Sequence, residues 1–264
     1  MRTMIGDKNE DGTRAMVNTV LKAIQILESL ADVPNQGVSD IARILDLPKS
    51  SVHGILETLA SEALVERNGD TGKYHLGVKL VELGNRAQLD LDICRIAAPF
   101  LQGLNIEFDE TVHLTVLDRD EVLYVDCVES RRRLRTYSVI GVRAPLYCTS
   151  VGKAILAFQS DGEIRRIVRE KGLKQVTANT IVTEERLFQE VARIRNEGYA
   201  VDDMEHEDHL RCVGAPIRDA RGRVFASMSL SGPAERNTRE RIEQMAPSVV
   251  RAGLEISRRL GWRP

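Results

Sequence analysis

The sequence predicts an α+β protein in two parts, the second built on a mainly antiparallel sheet. Three observations lead there. Residues Val38 to Leu76 read as a short helix, a tight turn, an amphipathic helix and a hairpin. Two later segments, Val112 to Val128 and Val213 to Leu230, each read as two strands around a polar turn. Between and after them stand separate helical periodicities, the longest running from Asn237 to Leu260.

Taken in order, Val17, Val20, Leu21, Ile24, Leu27 and Leu30 follow a helical period and predict a first helix packed on the helix-turn-helix segment. Pro34, Asn35 and Gly37 end it. Ser39 is the expected cap of a short second helix carrying Ile41, Ala42 and Leu45. Leu47-Pro48 marks the turn, and Val52, Ile55, Leu56 and Leu59 then face inward from a third helix. Leu64 to Glu66 begins a strand, Arg67 to Lys73 forms a loop whose Asn68-Gly69 and Thr71-Gly72 corners permit positive φ, and Tyr74 to Leu76 returns. That order is a winged helix-turn-helix, whose third helix enters the major groove of double-stranded DNA. Lys49, Ser50, Ser51 and His53 at that helix's start are the candidate phosphate and base contacts, and Arg67 and Lys73 are those of the wing.

Leu80, Leu83, Ala87 and Leu91 make a narrow stripe that predicts a linker helix, suited to pairing with a second copy. The strands Val112 to Leu117 and Val122 to Val128 come next, then a strand from Arg135 to Val139. Helices are predicted over Ser150 to Gln159, Gly162 to Glu170 and Glu184 to Asn196, the last stopped by Gly198. The expected divisions are an arm at 1–14 without order, a DNA-binding domain at 15–77, a linker at 78–92 and a second domain at 93–264.

Composition sets limits. No apolar run approaches the ~18 residues of a membrane span, and the polar first residues lack the middle of a signal peptide. A cytoplasmic protein without membrane contact is expected. Cys94, Cys127, Cys148 and Cys212 form no CxxC pair, so buried thiols are expected rather than disulfides. Between Arg14 and Lys79 there are seven Lys/Arg and eight Asp/Glu, so DNA affinity must come from local placement and dimerisation rather than bulk charge.

Two segments look like site material. Cys148 to Ala154 opens a helix whose free N–H groups would favour a carboxylate, the other reading being a capped structural helix. It is not a phosphate loop, because Tyr147 and Ala154 stand where that motif needs Gly and Ser or Thr. The stretch Gly198 to Gly214 carries Asp202, Glu205, His206, His209 and Cys212 between two strands. The spacing of Asp202, His206, His209 and Cys212 fits no strong zinc pattern, and no metal is expected. Ser229 and Ser231 alternate on one strand and share a face. The cationic loop Glu129 to Arg135 reads as a solvated or intersubunit loop, with one Arg clamping an effector carboxylate as the other possibility. Two rival classes stay open: a thiol hydrolase using Cys212 with His206 or His209, and a ligand sensor acting through protein contacts.

Together these segments resemble the IclR family of bacterial transcriptional regulators, from about Val17 to about Leu260. Gly198, Asp202, Glu205, Cys212, Val213, Gly214, Ile217 and Asp219 match its C-terminal signature in order and spacing, and LPKSSVHGILETL, APLYCTSVGKAILA and SMSLSGP match as well. Arg218 and Gly54 depart from the family pattern. The resemblance implies a GAF-like effector domain after the linker, dimers that often pair into tetramers, and no enzyme activity, catalytic residues or cofactor. It implies a pocket built from Ser150, Val151, Gly152, Asp202, Leu210, Cys212, Ser229 and Ser231. The implied effector is a small organic acid controlling a catabolic operon. RLRTYSVIGVRAPLYCTSVGKA is most similar to members that sense sugar acids such as 2-keto-3-deoxygluconate, with keto acids and aromatic acids as the other classes.

Overall fold

The computed structural model describes residues 17–89, 92–136 and 140–263. The expected arm at 1–14 lies outside the described residues. The chain forms two compact units that divide between Gln88 and Leu89.

The first unit contains α1 (Asn18–Asp32), α2 (Val38–Ile44), α3 (Lys49–Ser61), the hairpin β1 (Val65–Arg67) and β2 (Tyr74–Leu76), and most of α4 (Val78–Leu89). Its core is Ile26, Leu30, Ile41, Val52, Leu56, Leu59, Val65 and Tyr74. Several details differ from the sequence reading. Ile26 and Leu30 bury α1, whereas Val17, Val20, Leu21 and Ile24 form an exposed apolar stripe at i, i+3, i+4 and i+7. Ser39 lies inside α2 and Gly37 is the cap residue; the Asp40 carboxylate accepts the Gly37 N–H at 3.3 Å. Arg67 ends β1 rather than lying in the loop. In the loop the positive φ falls at Gly72 of the expected Thr71-Gly72 corner, whereas Asn68 acts through its Oδ1, which accepts the N–H groups of Asp70 and Thr71 at 3.0 Å. On α4, Leu83 is exposed and Leu80 half-buried; Leu91 lies outside the described residues.

The second unit runs α5 (Asp92–Phe108), β3 (Thr111–Asp118), β4 (Glu121–Val128), β5 (Arg143–Pro145), α6 (Ser150–Leu156), α7 (Asp161–Lys171), α8 (Glu184–Glu197), β6 (Ala200–Asp203), β7 (Leu210–Arg218), β8 (Val224–Pro233) and α9 (Arg239–Arg259). The sequence reading gave α5 no element, although Ile93, Ala97, Leu101 and Leu104 bury one face of it. The strand expected at Arg135 to Val139 falls partly on residues outside those described; Arg135 and Thr136 are not in a strand, and β5 lies further on. The helix expected through Gln159 ends at Leu156.

One sheet of order β5-β4-β3-β8-β7-β6 holds this unit together, with antiparallel pairing throughout. Strand periodicity separates its two faces. Val112 and Leu114 of β3, Val213, Ala215 and Ile217 of β7, and Ala226, Met228 and Leu230 of β8 join α5 and α9 in one apolar core. The alternating residues are buried but polar: Thr111, His113 and Thr115 of β3, and Ser227, Ser229 and Ser231 of β8. A second core gathers α6, α7 and α8 around Val151, Ile155, Ile164, Leu187 and Ile194.

Candidate effector cavity and nucleic-acid interface

A buried polar face is unusual in a sheet, because each hydroxyl there must find a partner. Register explains how these polar residues meet. Thr111 pairs with Ser231, Ser231 with Cys212, and Cys212 with Asp202, so one row crosses β3, β8, β7 and β6. The next row sets His113 opposite Ser229 and Ser229 opposite Gly214. Side-chain contacts knit the rows: His113 Nδ1 lies 3.3 Å from Ser231 Oγ, which lies 3.3 Å from Ser229 Oγ.

Helix α6 lies against this face, and Gly214 sets how closely. A Cβ there would stand 2.9 Å from the Ser150 carbonyl, so only glycine lets the start of α6 approach β7. Gly152 has a similar task. Its Cβ would meet Thr149 Oγ1 at 2.5 Å and the Pro145 carbonyl at 2.6 Å. Thr149 caps α6, its Oγ1 accepting the Gly152 N–H at 3.0 Å. That N–H is therefore taken by the cap and is not free for a carboxylate.

Where the polar face is not covered by α6 it opens on a cavity of about 680 Å³, inside the range of roughly 300–1,000 Å³ typical of small-molecule sites. Of the expected pocket residues, Ser150, Asp202, Leu210, Cys212, Ser229 and Ser231 line it. Val151 and Gly152 do not: Val151 is packed in the second core, and Gly152 shapes the turn behind the wall. Arg135 of the cationic loop and Thr149 of the helix-opening segment also line it, as do His113, Tyr124 and Arg143, which were not singled out in the sequence. His113 and Tyr124 carried one readable signal, their place on alternating strands; which face they shared depended on register. Their rings meet edge to face at 5.3 Å.

The electrostatics derive from burial. Asp202 is raised to about 7, chiefly because burial penalises its charge, with the neighbouring Glu205 carboxylate adding to the rise. The N–H groups of Glu205 and His206 oppose this by donating to its Oδ1 at 2.7 and 3.4 Å. Burial lowers His113 to about 4, so its ring is neutral near neutrality. Arg143 pairs with Asp118 and Arg135 with Glu129. Arg132 pairs with Asp109, while Arg131 and Arg133 are exposed.

The thiol-hydrolase reading has no support here. Burial pushes the Cys212 thiol well up and it bonds Ser231 rather than a histidine, while His206 and His209 lie beside Glu207 and Glu235. No described helix is long and apolar enough to cross a membrane.

In the first unit, Lys49, Ser50 and His53 are exposed at the start of α3 and Ser51 is half-buried. Lys49, Arg67 and Lys73 are exposed and have no ion pair among the described residues, and Arg67 lies 5.9 Å over the Tyr74 ring. His53 is 4.0 Å from Glu57, which also accepts the Tyr74 hydroxyl at 3.1 Å. At Gly54 a side chain would enter open space. The other departure, Arg218, has its guanidinium over the rings of Phe158 and Trp262 at 4.5 and 5.5 Å, away from the cavity wall.

Comparison with known proteins agrees with this division. Residues 19–69 match the IclR helix-turn-helix domain, and residues 86–258 match the C-terminal domain of the bacterial transcriptional regulator IclR. The HTH-type transcriptional regulator KdgR of Escherichia coli is 34% identical over 256 residues, covering 97% of this chain and 96% of that one. The crystal structure of Thermotoga maritima IclR superposes with a TM-score of 0.77 at 36% identity, covering 93% and 99% of the two chains. An IclR homologue from Microbacterium hydrocarbonoxydans, solved with 4-hydroxybenzoate, gives 0.80 at 26% identity over 92% and 98%. Relatives of this kind are named as transcriptional regulators and repressors, not enzymes. The chain belongs to the IclR family of bacterial transcriptional regulators, with a DNA-binding helix-turn-helix region and an effector-binding C-terminal domain.

Proposed function

We propose that this regulator acts in the cytoplasm, binding operator DNA as a dimer or a tetramer, and that a small organic acid in the cavity sets that affinity and so controls a catabolic operon. In this reading residues 15–77 bind DNA, 78–92 link, and 93–264 bind the effector. The observation that carries the reading is the buried polar row of one sheet face, opening on a cavity in a chain that also carries a helix-turn-helix. Thr149, Ser150, Ser229 and Ser231 give that wall a supply of hydroxyls, whereas Tyr124 is the single tyrosine among the described residues that line it. This balance favours a hydroxylated sugar acid over an aromatic acid, although a relative was solved with 4-hydroxybenzoate. Dimerisation is supported by the exposed stripe Val17, Val20, Leu21 and Ile24 and by exposed Val78, Val81 and Leu83 on α4.

On DNA, Lys49, Arg67 and Lys73 contact phosphate, and Ser50, Ser51 and His53 approach base edges. The acid acts by binding one arrangement of the dimer more tightly than another. Fluorescence anisotropy with the DNA upstream of the gene tests both halves. Lys49→Ala should weaken binding to all sequences alike and lower the salt slope by about 1. An unchanged slope removes Lys49 from the contacts, and no salt dependence at all favours a sensor working through protein contacts. Titrating 2-keto-3-deoxygluconate, pyruvate and 4-hydroxybenzoate into the complex ranks the three acid classes.

A further inference from the structure

Lys153 sits one turn beyond Ser150 on α6 and is 1% exposed. An ammonium persists at such depth only with matched charge. Its Nζ donates to Glu190 of α8 at 3.0 Å and to Glu205, in the turn after β6. Glu190 already has a matching charge on its own helix, since Arg193 donates to both its oxygens at 2.9 Å. Lys153 is therefore the counter-charge of Glu205, whose other oxygen, Oε2, is buried with no hydrogen-bond partner among the described residues.

That turn is the one that aims Asp202. The Glu205 and His206 N–H groups bond Asp202 Oδ1, and Met204, just before them, is left-handed at φ 58. A non-glycine residue in that conformation costs on the order of 1 kcal/mol and persists only where its surroundings hold it. Thr177 donates to the Met204 carbonyl and Thr180 to the Glu205 carbonyl, both at 2.7 Å, so hydroxyls hold the turn's carbonyls while Lys153 holds the Glu205 side chain. Lys153 is not on the cavity wall and acts only through what it holds.

We propose that Lys153 is a positioning residue of the effector site: by gripping Glu205 it keeps residues 202–206 in the shape that presents Asp202 to an acidic effector, and it ties that turn to α6 and α8. This deepens, and rests on, the reading of the cavity as an acid site.

The test uses the full chain with Lys153→Met and with Lys153→Met/Glu205→Gln, which leaves no unmatched buried charge. Amide exchange and the affinity of the best binder among 2-keto-3-deoxygluconate, pyruvate and 4-hydroxybenzoate are read on each. In Lys153→Met the Glu205 and His206 amides should exchange about tenfold faster while those of β7 and β8 keep their rates. The Kd for the acid should rise about tenfold. The double variant should recover Tm without recovering affinity or protection, because the grip is still missing. Unchanged exchange at Glu205 and His206, or recovery of affinity together with Tm, overturns the proposal and leaves Lys153 a neutralising charge only. If Lys153→Met does not fold, the double variant gives the same readings. If none of the three acids binds the unaltered chain, the acid reading falls and the effector role of Lys153 with it; unchanged exchange marks the separate failure of the clamp.

Discussion

Asp202 and His113 lie in adjacent rows of one buried sheet face, and their titrations are shifted in opposite senses. Asp202 is raised from 3.8 to about 7. Within that window the folded chain holds a proton the unfolded chain has lost, so this group's contribution to stability falls as pH rises. His113 is lowered from 6.5 to about 4. In its window the unfolded chain holds the extra proton, so its contribution falls as pH falls. Between pH 4 and 6.5 the two offset, and single substitutions should expose each slope. Relative to the unaltered chain, Asp202→Asn should tilt stability upward with pH and His113→Phe downward, each by about 1.4 kcal/mol per pH unit. Urea melts at pH 4.5, 5.5 and 6.5 measure this; parallel curves would mean that neither group keeps its folded protonation state.

Elements differ in how much of their placement their own residues decide. Helix α8 begins at Glu184 after Thr183, whose hydroxyl accepts the Arg186 N–H at 3.4 Å, and ends before Gly198, as its sequence predicts. Helix α5 shows the opposite case: Pro99 interrupts its pattern, yet packing against the sheet and α9 keeps it helical from Asp92 to Phe108. Helix α6 depends on contacts from a distant strand, because Gly214 admits it to the polar face. Gly214→Ala would force the backbone at Ser150 away from β7. It should cost about 1–3 kcal/mol in urea unfolding and weaken acid binding while DNA affinity without acid is retained. Acid binding that survived would show that α6 need not lie so close to the sheet.

At the scale of the molecule, the exposed stripe on α1 bears on assembly. Val17, Val20, Leu21 and Ile24 repeat at helical spacing yet are left uncovered, while Ile26 and Leu30 fill the core. Ile24→Glu adds charge at a position the monomer does not bury, so its fold should tolerate it. Sedimentation velocity at micromolar protein should show a shift from dimer to monomer, with DNA affinity falling as the second recognition helix is lost. A dimer that persists would place the interface elsewhere.

The sequence by itself determined the family, the helix-turn-helix with its inward positions Val52, Leu56 and Leu59, the two large hairpins, and the shared face of Ser229 and Ser231. These rest on local periods of 3.6 and 2 and on motif spacing, which a linear reading captures. Tertiary structure decided that Ile26 and Leu30 bury α1 while Val17, Val20, Leu21 and Ile24 stay exposed, that Val151 and Gly152 stand behind the cavity wall, and that His113 and Tyr124 join it. It also decided that Lys153 meets Glu205 across 52 residues of sequence. Those outcomes depend on strand register and on close approach at Gly214, which are set by contacts between segments far apart in the chain and leave no periodic trace within either one.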